Sequence, residues 1–203
     1  TPFPIIESEF SHSYPHYSPT RSQIAYVSNE SGFYELWLSD AQGQNRQQLT
    51  FLKQSIRYPR WSKDGEKIAF LAPVEANKAD KIYVYDLVTS TLSIVPSSHE
   101  THGRPTWSWD GLSIIAAIYE KEYVDLHQIN IATGESKRLS YDGSRFGIMT
   151  SPTTLVYTNA EKEGLWQKEL SEDVTQNNAP PINKISGDQF KTTYAWEYTP
   201  QGV

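Results

Sequence analysis

A short motif returns along this chain at a near-constant interval, and that repetition limits the fold more than any other feature. Tyr58-Pro59-Arg60-Trp61-Ser62-Lys63-Asp64-Gly65 recurs as Arg104-Pro105-Thr106-Trp107-Ser108-Trp109-Asp110-Gly111. A worn copy precedes them at Tyr14-Pro15-His16-Tyr17-Ser18-Pro19, and another closes the chain at Tyr198-Thr199-Pro200-Gln201-Gly202. Thr150-Ser151-Pro152 fills the remaining place. Taking Tyr17, Trp61, Trp107, Thr150 and Tyr198 as anchors, the spacings are 44, 46, 43 and 48 residues.

The rest of each unit lines up behind its anchor. An apolar stretch comes first: Ile24-Ala25-Tyr26, Ile68-Ala69-Phe70, Ile114-Ile115-Ala116 and Leu155-Val156-Tyr157. A second follows at Leu36-Trp37, Ile82-Tyr83, Leu126-His127 and Leu165-Trp166, each with Asp40, Asp86, Asn130 or Glu169 four residues after its leading aliphatic. Gly43 and Gly134 mark turns, and Leu49-Thr50, Ile94-Val95, Leu139-Ser140 and Ile185-Ser186 end the units in a last strand. In the fourth unit, Ser171 to Pro181 reads as a surface loop. The Asp-Gly pairs at 64–65 and 110–111 suit tight hairpins, since glycine accepts positive φ and aspartate bonds nearby backbone. Ser62 and Asp64, and their counterparts, are expected to bond backbone there and set the register. No stretch keeps a 3.6-residue apolar period, so helix is not expected. Four short strands every 40–50 residues predict an all-β fold: a β-propeller of four-stranded antiparallel blades, with about four full blades and the start of a fifth. The blades are expected over 11–50, 55–98, 101–141, 144–186 and, incomplete, 194–203. Trp61 and Trp107 are large enough to fill the gap between blades.

Composition narrows the function. The 203 residues carry a formal net charge of −6 and no basic run, which argues against contact with nucleic-acid phosphates. There is no cysteine, so thiolate metal sites and thiol nucleophiles are excluded. The longest apolar run, Ile114 to Tyr119, is far short of the ~20 residues of a membrane span. The chain opens at Thr1 and not Met, which points to a longer parent; any membrane anchor would lie outside this chain.

The repeat P-x-W-S-x-D-G-x-x-I-A-F, followed by I-Y-x-x-D and later L-T, resembles the PD40 (WD40-like) repeat of TolB-type propellers. The likeness is close over Pro59 to Asp86 and good over Pro105 to Ser140; the first unit lacks the Asp-Gly pair, and the fourth is degenerate. The resemblance implies a non-catalytic protein-interaction or sensing module in the periplasm or another extracytoplasmic space. With Thr1-Pro2-Phe3-Pro4 read as the end of an outer strand, it is similar to the periplasmic domains of membrane-anchored winged-helix transcriptional regulators. Two alternatives stand beside that one: the gating propeller of a prolyl-oligopeptidase or dipeptidyl-peptidase type serine peptidase, and a TolB-like envelope protein with a protein partner. Four units and a fifth anchor leave three arrangements: an open arc, a four-bladed ring, or closure by another subunit. An open arc would expose an apolar blade face, which favours self-association or a longer parent.

Candidate chemistry is sparse. His99-Glu100-Thr101-His102 lacks the second histidine four residues on that a helical zinc site needs, position 103 being Gly. His12 and His16 are four apart but on an expected strand beside Pro15. His127 sits where other units have Trp37, Tyr83 and Trp166, and reads as packing. Gly143-Ser144-Arg145-Phe146-Gly147 is not a nucleophile elbow. The Ser-x-Asp-Gly boxes lack the spacing of sialidase boxes, and the pairs Glu172 with Asp173 and Glu161 with Glu163 read as solvated charge. No enzyme activity, metal or cofactor is expected. The segments entering each blade bring Tyr14 and His16, then Arg57, Tyr58 and Arg60, then His102 and Arg104, then Arg145 and Phe146 toward the expected central channel. Of these, His16, Arg57, Tyr58, Arg60, His102, Arg104 and Arg145 are the candidate binding residues. A ring of Arg, His and aromatic side chains in an acidic protein suits a small anionic ligand or a peptide of a protein partner.

Overall fold

The structure, a computed structural model, describes residues 2–120, 123–159, 163–170 and 183–184, with backbone alone at 102, 120, 183 and 184. Among the described residues there is no helix. The described residues contain sixteen strands in four separate antiparallel sheets, each a meander of four consecutive strands. Blade 1 contains β1 (His12–Tyr17), β2 (Gln23–Ser28), β3 (Glu35–Asp40) and β4 (Gln47–Gln48). Blade 2 contains β5 (Arg57–Trp61), β6 (Lys67–Pro73), β7 (Asp80–Asp86) and β8 (Thr91–Ile94). Blade 3 contains β9 (Thr101–Trp107), β10 (Ser113–Glu120), β11 (Tyr123–Asn130) and β12 (Ser136–Arg138), and blade 4 contains β13 (Ser144–Met149), β14 (Thr154–Asn159), β15 (Leu165–Glu169) and β16 (Asn183–Lys184). The chain is all-β and built of propeller blades. Blades 1 and 2 form one compact unit, Thr1–Pro96, and blades 3 and 4 a second, Ser97–Val203. The expected fifth blade at 194–203, the loop Ser171–Pro181, Ile185-Ser186, Glu161, Glu172 and Asp173 lie outside the described residues.

Side chains alternate across a strand, and here both sets are apolar. In β2, Ala25 and Val27 face blade 2 with Leu36 and Leu38 of β3; they meet Ile68, Phe70, Tyr83 and Trp61 of blade 2 in one buried cluster. In the second unit, Ile115, Ala117 and Leu126 of blade 3 meet Leu155 and Tyr157 of blade 4, with Met149 and Trp166 packed alongside. The aromatic pairs of the sequence are direct cross-strand partners: Tyr26 opposite Trp37, Phe70 opposite Tyr83, and Tyr157 opposite Trp166. The Phe70 and Tyr83 rings stack, with centroids 5.4 Å apart. In blade 3 the pair is Ala116 with His127. His127 is buried there, bonded through Nδ1 to the Ser136 hydroxyl at 2.8 Å and 5.9 Å from the His99 ring.

Trp61 is the wedge of the first unit. It is only 4% exposed, and its Nε1 donates to the His16 carbonyl at 3.0 Å. Trp107 is buried as well, but Tyr17, at the same position of blade 1, is 55% exposed. The anchor faces backward along the chain, and no described blade precedes blade 1. The fourth anchor is Met149 and not the expected Thr150. Met149 pairs with Leu155 as Trp61 pairs with Ile68 and Trp107 with Ile114. The reason is a hairpin one residue shorter: the Thr150 amide bonds the Thr154 carbonyl, whereas Ser62 bonds Lys67.

The Ser-x-Asp-Gly boxes build the first hairpin of blades 2 and 3. The Ser62 hydroxyl donates to Asp64 Oδ1 at 2.5 Å and accepts the Lys67 amide at 2.9 Å, while Asp64 Oδ1 also accepts the Glu66 amide. Ser108, Asp110, Leu112 and Ser113 repeat the arrangement. Burial acts to raise the Asp64 pKa, but the Ser62 and Glu66 bonds, with Lys67 nearby, hold it below the ordinary value. Gly65 and Gly111 both take φ of +71°. The acid or amide ending the third strand of blades 1 to 3 caps the next turn: Asp40 accepts the Gln42 and Gln44 amides, Asp86 those of Val88 and Thr89, and Asn130 those of Ala132 and Thr133. Glu169 departs from this and accepts the Thr153 and Thr154 hydroxyls. In blades 1 and 3 the stretch expected to close the unit begins where the ladder ends, since Leu49 and Leu139 follow β4 and β12, yet their amides still bond Leu36 and Leu126; in blade 2, Ile94 ends β8 and the Val95 amide bonds Ile82. Pro2 to Ser11 form no strand.

Two glycines with one φ separate strain from contact. A Cβ on Gly111 meets nothing within 4 Å, whereas one on Gly65 lies 2.0 Å from the Thr20 hydroxyl oxygen, which itself donates to the Asp64 carbonyl. Gly111→Ala is expected to lose about 1–2 kcal/mol from the left-handed backbone alone, and Gly65→Ala more. Thr20→Ala should bring the two losses together, as read by urea unfolding. Asp64→Ala is expected to lose about 1–2 kcal/mol with its two bonds; an unchanged melting temperature would show that the box does not set the hairpin.

Candidate functional site

The first strand of each blade is a sheet edge, and each carries a register shift: between Ser13 and His16, Arg57 and Arg60, Ile115 and Ala117 on the partner of β9, and Ser144 and Phe146. An edge strand with a bulge is where proline fits, because no ladder bond is lost there; Pro15, Pro59 and Pro105 occupy it. The residue before Pro15 and the residue before Pro59 take positive φ, 53° at Tyr14 and 55° at Tyr58. The bulge turns both side chains to the same place, and their rings meet edge to face with centroids 4.6 Å apart.

In the first unit this gathers four of the predicted residues on β1 and β5. Tyr58 stands on Tyr14. Arg57 forms an ion pair with Asp80 at the start of β7, with 42% of its side chain still exposed. Arg60 bonds the Pro59 carbonyl at 3.0 Å. His16 is spent on structure: its Nδ1 accepts the Trp61 amide at 3.1 Å. Burial, and then the nearby Arg60 cation, push its pKa down to about 3. His12 turns elsewhere, its ring 5.6 Å from Tyr26 and its Nε2 bonded to the Ser8 hydroxyl, so the two histidines do not converge. In the second unit, Arg104 lies half-buried in β9 and Arg145 exposed in β13. A Cβ on Gly103 would stand 3.1 Å from the Phe146 ring and 3.5 Å from the Arg145 carbonyl, so these two strands also meet at their bulges. His102 lies in β9. Among the described residues no group of three His, Asp or Glu is placed to hold a metal ion.

Two buried acids escaped the sequence reading. Glu35 is 1% and Asp125 2% exposed, each one residue before the leading aliphatic of a third strand. Glu35 accepts the Thr50 hydroxyl and the Lys53 amide, both at 2.6 Å. Asp125 accepts the Ser140 hydroxyl and the amides of Asp142 and Gly143, and pairs with Arg138. Thr50 and Ser140 also accept the Leu36 and Leu126 amides at 2.9 Å. The L-T and L-S ends of the repeat are therefore the hydroxyl half of a clamp that ties the chain leaving one blade to that blade's third strand. Recurrence of Glu or Asp before the aliphatic, fifteen residues ahead of Thr or Ser, was the available signal. Lys168 adds to it in blade 4: 2% exposed, it donates to the Leu139 carbonyl at 2.8 Å. Burial holds its pKa below the ordinary value, against the pull of Asp142 and Asp125.

The sequence profile of the TolB beta propeller domain (PD40) matches residues 18–157. The chain belongs to the TolB-type propeller family. It is 32% identical over 93 residues to the Tol-Pal system protein TolB of Alcanivorax borkumensis, covering 44% of this chain and 21% of that one. It is 40% identical over 81 residues to the TolB of an Azoarcus species, covering 40% and 18%. The chain thus aligns with about a fifth of the length of these curated relatives. Among solved structures, TolB from Acinetobacter baumannii superposes with a TM-score of 0.69 at 19% identity, over 90% of this chain and 45% of that one. An oligogalacturonate lyase in complex with manganese gives 0.65 at 13% identity, over 90% and 55%. A prolyl endopeptidase gives 0.60 at 14%, over 93% and 31%. At these identities the likeness is one of fold.

The neutral, half-buried His16 makes stability depend on pH. The unfolded histidine takes a proton near pH 6.5 and the folded one near 3, so the unfolded state binds more protons between those values. Stability is complete above about 6.5 and falls as the pH drops toward 3. His16→Asn, which keeps an acceptor for the Trp61 amide, is expected to flatten the melting temperature between pH 6.5 and 4.5. Asp125→Ala strands Arg138 and two amides and is expected to cost about 3–5 kcal/mol in chemical denaturation, with Asp125→Asn losing less.

Proposed function

We propose that this chain is the partner-binding propeller of a TolB-like envelope protein, extracytoplasmic and without catalysis of its own. Its PD40 identity over residues 18–157 carries the reading. The names of the relatives support the envelope setting over that of a winged-helix regulator's sensor domain or a peptidase's gating domain. The bulged first strands supply the binding groups. Arg57, paired with Asp80 but still 42% exposed, lies on the strand that carries Tyr58, and Arg104 and Arg145 occupy first strands of the second unit. Guanidinium groups and tyrosine rings are the side chains that most often anchor a protein partner, and their charge selects an acidic segment from within an otherwise acidic surface.

Purified Pal, the protein named with these relatives, is the direct probe. Pal is expected to bind the immobilised chain, more weakly as salt rises. Arg57→Ala with Arg104→Ala is expected to lower the affinity at least tenfold without loss of fold by circular dichroism. Equal binding by the double variant would remove these residues from the interface, and absence of binding by the parent chain would remove Pal as the partner.

A further inference from the structure

The degenerate fourth repeat has left a hole where the second has a wedge. Between blades 1 and 2, Trp61 fills the gap, and the Thr20 hydroxyl closes the turn edge on the Asp64 carbonyl. Between blades 3 and 4 the same position holds Met149, and Leu38 of β3 has Gln128 as its counterpart in β11. There a cleft of about 310 Å³ opens, at the lower end of the range of small-ligand pockets. Its floor is Leu139, Met149 and Leu170, and half-buried Trp109 stands in its wall. In blade 2 the residue at the Trp109 position is Lys63, so the indole belongs to this cleft and not to the repeat.

The rim is charged on one side. Among the described residues Lys137 is exposed and forms no ion pair, and Arg138 beside it is engaged by Asp125 and lies over the Tyr141 ring. Asp110 is the acid at the opening, but its Oδ1 accepts the Ser108 hydroxyl and the Leu112 amide. An apolar volume lacking its indole, bounded by tryptophan and by a lysine with no counterion among the described residues, has the complement of an indole beside a carboxylate. We propose that this cleft is a second binding site, taking an extended segment of a partner protein that inserts an aromatic side chain in place of the missing anchor and sets an adjacent carboxylate on Lys137. It is separate from the first-strand residues of the envelope reading and does not depend on them.

N-acetyl-L-tryptophan carries both groups and serves as the probe. Met149 is the sole methionine of the chain, so selective ¹³C-methyl labelling reports from the cleft floor with one resonance. That resonance is expected to shift saturably, with a Kd on the order of 1 mM, and N-acetyl-L-tryptophanamide, without the carboxylate, is expected to bind at least fivefold more weakly. Lys137→Ala, at an exposed position, should bring the acid down to the affinity of the amide. Met149→Trp should fill the cleft and abolish binding seen by saturation transfer from the protein; should that variant not fold, the Lys137→Ala comparison decides alone. No saturable shift, equal binding of acid and amide, or unchanged affinity in Lys137→Ala would each overturn the proposal. A dimer in sedimentation that the probe dissociates would assign the cleft to a second copy of this chain and overturn it too.

Discussion

A small sheet that is apolar on both faces has no stable existence in water until each face is covered. This constraint governs the molecule. Blade 1 turns Ala25, Val27, Leu36 and Leu38 to blade 2, which answers with Ile68, Phe70, Tyr83 and Trp61. Trp61 matters most because it meets both requirements of burial at once: its ring fills the gap, and its one polar atom finds the His16 carbonyl. At ~150–250 Å² of surface removed from water, such a ring contributes more than any aliphatic neighbour. His16 closes the same joint from the other side by accepting the Trp61 amide, while burial and the nearby Arg60 cation hold its ring neutral.

Packing alone leaves the connections between blades loose, and polar groups complete them. Glu35 with Thr50 and Asp125 with Ser140 tie the segments that leave blades 1 and 3 back to the third strand of the same blade. Buried carboxylates are costly unless fully bonded; here each accepts a hydroxyl and at least one backbone amide, and Asp125 also meets Arg138. Fixing these segments fixes where the next first strand begins, β5 with Arg57 and Tyr58 in the first unit and β13 with Arg145 in the second. Within each unit, blade faces hold the blades together and the clamp sets where the next first strand enters.

Much of this was legible in the residues. The W-S-x-D-G box predicted its own hairpin, because Ser, Asp and Gly within four positions have few other uses, and Ser62 with Asp64 bonds as that chemistry requires. The aromatic slots at 37, 83 and 166 emerged as cross-strand partners of 26, 70 and 157. The anchor of the fourth blade was misplaced by one residue because Thr150 aligns with the motif, whereas register follows hydrogen bonds; a hairpin shortened by one residue moved the role to Met149. His16 was read as a binding residue, and the structure spends its ring on Trp61, forty-five residues away, a contact that no local pattern announces. Glu35 and Asp125 were passed over because an acid at the head of a strand looks solvated until the third strand is seen from inside the blade.

The sequence by itself determined the local vocabulary: short strands, turns where Asp and Gly demand them, a blade-sized period, and membership of the TolB-type propellers. These follow from neighbours within a few residues, whose alternation and backbone preferences are written in order. Tertiary structure decided which strand face meets which, that the His16 ring accepts a backbone amide forty-five residues away, that Tyr14 finds Tyr58, and that a methionine in place of tryptophan opens a cleft. Those outcomes depend on volumes and polar atoms brought together from positions some forty residues apart, and burial, not sequence proximity, sets their energy.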